Sequence, residues 1–144
     1  MDISQFQLKE NKDGQDWLRK QVRQYNVERS PLHATKRSEG TQAVTLLATR
    51  DNQPIGGISG EIYWGWLHIE WFFIVEEERG SGLGTQLFRQ LEEWARAAGV
   101  QRIRVETFSF QALPFYERQG FVEVGRIDDY PPGMSYHLLV KQVD

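Results

Sequence analysis

The sequence predicts one mixed α/β domain spanning residues 1–144. Three observations carry that reading. Strand-like segments cluster between Ala43 and Val75, an amphipathic helix begins near Gly82, and short strands and helices then alternate to Val140. A chain of 144 residues suits one domain with a sizeable core, whereas two independent domains would be cramped.

Ile3 to Leu8, with Ile3, Phe6 and Leu8 among polar spacers, reads as a strand. Gln15 to Tyr25 reads as a helix, because Leu18, Val22 and Tyr25 fall on one face at helical spacing. Ser30-Pro31 ends it, and His33 to Thr41 is a polar, partly basic loop. Ala43 to Thr49 is the next strand, closed by the turn signal Asp51-Asn52-Gln53-Pro54. Ile55 to Tyr63 follows, interrupted by Gly56, Gly57 and Gly60. Leu67 to Val75 is the third of this group. Its apolar run Trp71 to Val75 suggests a strand covered on both faces.

In the helix from Gly82, Leu83, Leu87, Leu91, Trp94, Ala95 and Ala98 keep helical spacing, and Gly99 ends it. Arg102 to Phe108 is a strand, with Ile103 and Val105 on one face. Ala112 to Gln119 is a short helix stopped by Gly120. Phe121 to Gly125 and Ser135 to Val140 are final strands around the turn Tyr130-Pro131-Pro132-Gly133. The order β-α-β-β-β-α-β-α-β-β implies a mixed sheet with helices on its faces.

Composition removes several functions. Seventeen basic against twenty acidic residues leave −3, which is not the balance of a polybasic nucleic-acid binder. There is no cysteine, so disulfides, thiolate metal sites and a cysteine nucleophile are excluded. Met1 to Lys12 is polar and lacks the apolar core of a signal peptide. No apolar run approaches the ~20 residues of a membrane helix. These features point to a soluble cytoplasmic protein with neither a membrane nor a nucleic acid as partner.

The informative segment is Glu76 to Thr85, between an apolar strand and an amphipathic helix. Glycines let backbone amides approach a ligand and adopt positive φ. The first helical turn adds unpaired N–H groups and a positive dipole end, and the two together suit a pyrophosphate. Arg79 is a candidate phosphate contact. Gly80, Gly82 and Gly84 are spaced GxGxG, which is neither the P-loop pattern nor GxGxxG. A glycine-rich turn that only joins strand to helix is the alternative.

Arg79-Gly80-Ser81-Gly82-Leu83-Gly84 resembles the R/Q-x-x-G-x-G/A acetyl-CoA loop of GNAT (GCN5-related) N-acetyltransferases. Ala112-Leu113-Pro114-Phe115-Tyr116-Glu117-Arg118-Gln119-Gly120-Phe121 resembles that family's A-x-x-(F/L)-Y-E-x-x-G-F segment, and order and separation agree. Thr107 to Ala112 and Asp129 to Gly133 resemble a bacterial, single-domain branch. The resemblance implies a GNAT-like fold with a splayed central sheet, here one N-acetyltransferase domain over 1–144. It implies acetyl-CoA as acyl donor and direct attack by an amine in a ternary complex.

The same resemblance assigns roles. Phe72, Phe73 and Ile74 match the strand that pairs with the pantetheine arm, and Gly80, Ser81, Gly82, Leu83, Gly84 and Thr85 match the amides around the pyrophosphate. Tyr116 matches the tyrosine near the cofactor sulfur. Ser109 stands where the family often has a longer asparagine.

The chemistry needs a proton acceptor for the amine and a donor for the leaving thiolate. Tyr116 is the candidate acid, with core packing as its alternative. Glu70 and Glu106 are the candidate bases, with pairing to an arginine such as Arg104 as theirs. His68 and His137 read as strand-surface histidines, and no histidine pair has metal-ligand spacing. Tyr63-Trp64-Gly65-Trp66 and Trp71 are candidates for an acceptor wall, a dimer surface or plain packing. Glu76 to Glu78 are expected to face solvent, and Arg102, Arg104 and Arg79 are candidate contacts for the nucleotide end. The expected acceptor is a primary amine on a small molecule. A peptide acceptor and a non-catalytic acyl-CoA sensor are the alternatives. The third strand and the C-terminal hairpin are a candidate homodimer surface.

Overall fold

The computed structural model describes residues 6–33 and 42–143. They fall into two compact units, Met1–Gly40 and Thr41–Asp144.

The first unit contributes helix α1 (Gly14–Arg29). It runs past the expected end at Tyr25, because nothing in Asn26 to Arg29 breaks a helix before Ser30-Pro31. Its surface is braced by Arg19–Asp16 at 2.9 Å and by Gln24 donating to Glu28 at 2.7 Å. The strand expected over Ile3 to Leu8 is corrected where it is described: Phe6 to Leu8 carry no strand. Ile3 to Gln5 and the loop residues 34–41 lie outside the described residues.

The second unit is built on a six-stranded sheet. Its strands are β1 (Gln42–Arg50), β2 (Gln53–Tyr63), β3 (Trp66–Ile74), β4 (Arg102–Phe108), β5 (Val122–Asp128) and β6 (Ser135–Gln142), in the order β1-β2-β3-β4-β6-β5. The β3–β4 pair alone is parallel. A parallel connection needs a crossover, which helix α2 (Leu83–Ala97) supplies. Helix α3 (Leu113–Arg118) links β4 to β5 and carries Pro114 in its first turn, where a missing N–H costs nothing. Leu87, Phe88, Leu91 and Ala95 of α2 are buried, in a core with Leu67 and Ile69 of β3, Ile103 and Val105 of β4 and Leu139 of β6. The ~3.6-residue spacing that predicted α2 is therefore the spacing of its buried stripe.

Two irregularities shape the sheet. In the β2–β3 ladder Ser59 faces Trp71 but Gly60 faces Ile69, so Glu70 is an extra residue, a β-bulge. Beyond it the alternation shifts by one: Leu67, Ile69, Phe72 and Ile74 all contribute to the core. Trp71 (76% exposed) and Phe73 (62%) consequently point outward, which corrects the expectation of cover on both faces. The β3–β4 ladder joins only Trp66–Arg102, Leu67–Ile103 and His68–Arg104, although both strands run on. They separate past that point.

Gly60 is required by this geometry. A Cβ there would lie 2.7 Å from the His68 carbonyl oxygen and 2.9 Å from Leu67 Cδ1. Gly60→Ala is expected to lower the unfolding free energy by about 1–3 kcal/mol through overpacking. Gly125→Ala, whose Cβ would meet only Leu138 Cβ at 3.7 Å, should stay within about 0.5 kcal/mol. Urea titration of the two variants beside the parent checks this.

Candidate active site

Where β3 and β4 part, a cleft of about 730 Å³ opens, inside the size range of small-molecule sites. Its walls come from the second halves of β3 and β4, the loop before α2, and α3. Glu70, Glu106 and Tyr116 all line it, as do Phe72, Phe73, Ile74, Arg79, Gly80, Gly82, Gly84 and Thr85. Ser81, Leu83 and Ser109 do not.

The loop is held from below. Arg79 donates from Nε to the Ile74 carbonyl at 2.9 Å and lies over the Phe73 ring, and the Ser81 hydroxyl donates to the Glu78 carbonyl at 2.6 Å. Glu76–Glu78 form a 3-10 turn outside the cleft. Glu78 turns away to Arg50 of β1 at 2.9 Å, and that pairing raises the arginine's pKa further. Gly82 caps α2 with φ 89°, a left-handed conformation that favours glycine, and open space surrounds its missing Cβ. The first bond of the helix runs from the Gln86 N–H to the Gly82 carbonyl at 3.1 Å. The N–H groups of Leu83, Gly84 and Thr85 thus have no intrahelical partner. No acidic residue stands in that first turn to compete with an anion. Arg118, on the last turn of α3, adds a second cation to the cleft wall. It was hidden at an unspecified position of the Ala112–Phe121 segment.

The two carboxylates differ in company. Glu70 is exposed on its bulge and makes no ion pair with a described residue. Glu106 is held on both sides. His68 Nε2 lies 2.6 Å from Glu106 Oε2, Arg104 reaches Oε1 at 3.5 Å, and Arg104 also approaches His68 Nδ1 at 3.4 Å. One tautomer satisfies the set: the Nε2–H donates to the carboxylate while Nδ1 accepts from the guanidinium. Arg104 therefore serves the fork between the strands and does not line the cleft. Arg102 instead covers the Trp66 ring at 5.3 Å.

Tyr116 is 3% exposed, its ring packed against Phe72, Phe115 and Phe121. Burial pushes its phenol well above the ordinary value. The hydroxyl stays neutral and can only donate or accept a hydrogen bond at working pH. Ser109 is engaged elsewhere: its N–H donates to the Ser135 carbonyl at 2.8 Å and its Oγ accepts the Ser135 N–H at 3.0 Å. His137 departs from the surface expectation. It is 3% exposed, with Nε2 2.7 Å from Ser135 Oγ and Nδ1 bonded to Glu123. Ser135 is two residues away on β6, but Glu123 arrives from β5, a partner that the neighbouring sequence does not show. Among the described residues no group of His, Cys, Asp and Glu is arranged for a metal ion.

The Tyr116 phenol should leave a mark on stability. Its pKa is raised on folding, so the unfolded chain ionises first, near pH ~10. The parent should therefore lose stability relative to the Tyr116→Phe variant as pH climbs beyond ~10, with a constant difference below it. Denaturant titrations of both proteins from pH 8 to 11 check the sign.

Comparison with known proteins agrees with this geometry. The family model for the acetyltransferase (GNAT) family matches residues 11–121. Blasticidin-S acetyltransferase of Streptomyces morookaense is 38% identical over 126 residues, 82% of this chain and 93% of that protein. An acetyltransferase structure from Bacillus cereus superposes with a TM-score of 0.78 at 27% identity, covering 96% of this chain and 98% of the other. A Bacillus anthracis acetyltransferase solved with acetyl coenzyme A superposes with a TM-score of 0.63 at 26% identity, over 71% and 63% of the two chains. The bulged strand, the fork and the amide loop lie within the residues that the family model matches, and the chain belongs to the GNAT acetyltransferase family as an acetyl-CoA-dependent N-acetyltransferase.

Proposed function

We propose that the protein transfers the acetyl group to a primary amine on a small molecule, by direct attack within a ternary complex. The observation that carries this is the convergence of amide loop, Tyr116 and unpaired Glu70 on one cleft. The blasticidin-S enzyme named above, acting by its name on a small molecule, supports the acceptor class.

Bound acetyl-CoA supplies an activated thioester carbonyl. The residues of this chain do the rest. The amides of Gly84 and Thr85, with Arg79 and Arg118, meet the pyrophosphate charge. The edge of β3 past the bulge offers Phe72 to Ile74 as backbone partners for the extended arm. Glu70 removes a proton from the ammonium, directly or through water. It is favoured over Glu106 because Glu106 already accepts from His68 and Arg104. Tyr116 donates a hydrogen bond to the leaving sulfur. Complete proton transfer from so weak an acid to a thiolate of pKa ~8.5 is uphill, so its work is charge stabilisation.

Calorimetric titration with acetyl-CoA, followed by an assay for amine-dependent release of CoA, is the first test. Saturable binding and release with at least one primary amine are expected. Binding without release from any of a broad amine panel would leave a sensor and sink the enzymatic reading. Gly82→Val should weaken acetyl-CoA binding at least about tenfold, since a β-branched residue resists φ 89°.

Glu70→Gln should lower kcat about 10²–10⁴-fold. Glu106→Gln should lower it far less. The reverse pattern would move the base to Glu106.

A further inference from the structure

The face of the sheet away from α2 carries an aromatic group that neither the fold nor the reaction has used. Along β4, Arg104, Glu106 and Phe108 alternate with the buried Ile103, Val105 and Thr107. Phe108 pairs with Tyr136 of β6 in the ladder, and Glu106 with Leu138. The Phe108 ring packs edge-on against Tyr136 at 5.1 Å, and Tyr130 joins them at 6.2 and 5.8 Å. Phe110 stacks on Phe108 at 5.5 Å with only 10° between the planes. None of the four belongs to the hydrophobic core.

Phe110 decides what this group is for. It is 60% exposed yet lines the cleft with Glu106, Thr107 and Gln111. One ring face rests on Phe108, so the other is free. The segment that holds it is fixed. The Phe108 N–H donates to Gln111 Oε1 at 2.9 Å, the Gln111 N–H returns to the Phe108 carbonyl at 3.0 Å, and Ser109 is locked to Ser135. The loop that brings Tyr130 is tied too, by the Gly133 N–H to Asp129 Oδ1 at 2.8 Å. A bare aromatic face held rigidly at a cleft wall is a stacking platform whose ordering cost is met before a ligand arrives. Two carboxylates line the same cleft: Glu70, which has no described ion pair, and Glu106, which is shared with Arg104 and lies close enough to Tyr136 to help burial raise that phenol's pKa. A flat π-system bearing a positive charge answers both features.

We infer that Phe110, backed by Phe108, Tyr130 and Tyr136, is the acceptor subsite, and that the acceptor is a planar aromatic or heteroaromatic amine with a protonated nitrogen. The ring lies on Phe110 and the cation faces the carboxylates. This deepens the reading of the protein as a small-molecule amine acetyltransferase and rests on it.

The test uses the protein saturated with CoA and two protonated amines, tryptamine with a planar ring and 1,5-diaminopentane without one. Ligand-observed NMR titration gives both affinities. Stacking on an aromatic side chain is worth ~1–3 kcal/mol, so tryptamine should bind about tenfold or more tightly than the diamine. Phe110→Ala should remove that preference while changing the diamine by less than about twofold, and Phe110→Tyr should restore it. Equal affinities in the parent, or no measurable binding of either amine, would overturn the inference. So would a Phe110→Ala protein that loses CoA affinity, since the ring would then belong to the donor's side. Failure of the parent to bind CoA at all would instead strike the acetyltransferase reading itself.

Discussion

The structure depends on the place where two parallel strands stop sharing hydrogen bonds. β3 and β4 are joined through three residue pairs and then diverge. A sheet interior is an expensive place to leave backbone groups unpaired. The fork is tolerable because it opens to a cleft, where solvent or an extended ligand can meet the free strand edges. The bulge at Glu70 lies on the very strand that turns away. Immediately behind it His68, Glu106 and Arg104 bridge the last paired residues side chain to side chain. Everything chemical lies on the open side of that bridge.

This arrangement sorts charge along the cleft. Arg79 and the unpaired amides of α2 belong to the far end of β3, past Ile74. Glu70 and Glu106 belong to the fork. Glu76 to Glu78, which would oppose a phosphate if turned inward, are kept off the cleft in a short turn anchored through Glu78 to Arg50. One cleft thereby has amides and Arg79 toward one end and carboxylates at the other, with buried Tyr116 on its wall.

Much of this was legible in the residues. The buried stripe of α2 follows from Leu87, Leu91 and Ala95, β4 falls at Arg102–Phe108 as its alternation required, and the glycine loop sits where strand passes to helix. These are local patterns, with periods visible within one segment. What escaped was cross-strand. The slip at Glu70 is a property of two strands in register, and it turned Trp71 and Phe73 from expected core to surface. The pairing of His137 with Glu123 is made by the β5–β6 ladder. The aromatic group gathers Phe108, Phe110, Tyr130 and Tyr136 from segments that show no common period.

The bulge also bears on how such a chain can change length. Removing residue 70 would do more than delete one carboxylate. Its loss would make Ile69 and Trp71 neighbours, already opposite Gly60 and Ser59, so Phe72 and Ile74 would keep facing the core while the bulge and its bend disappeared. The hairpin at Asp51 and Asn52 is exposed, and a residue added there alters no buried face. The core faces of β3 could therefore spare one residue, and what that surplus residue supplies is the bend of the strand beside the cleft.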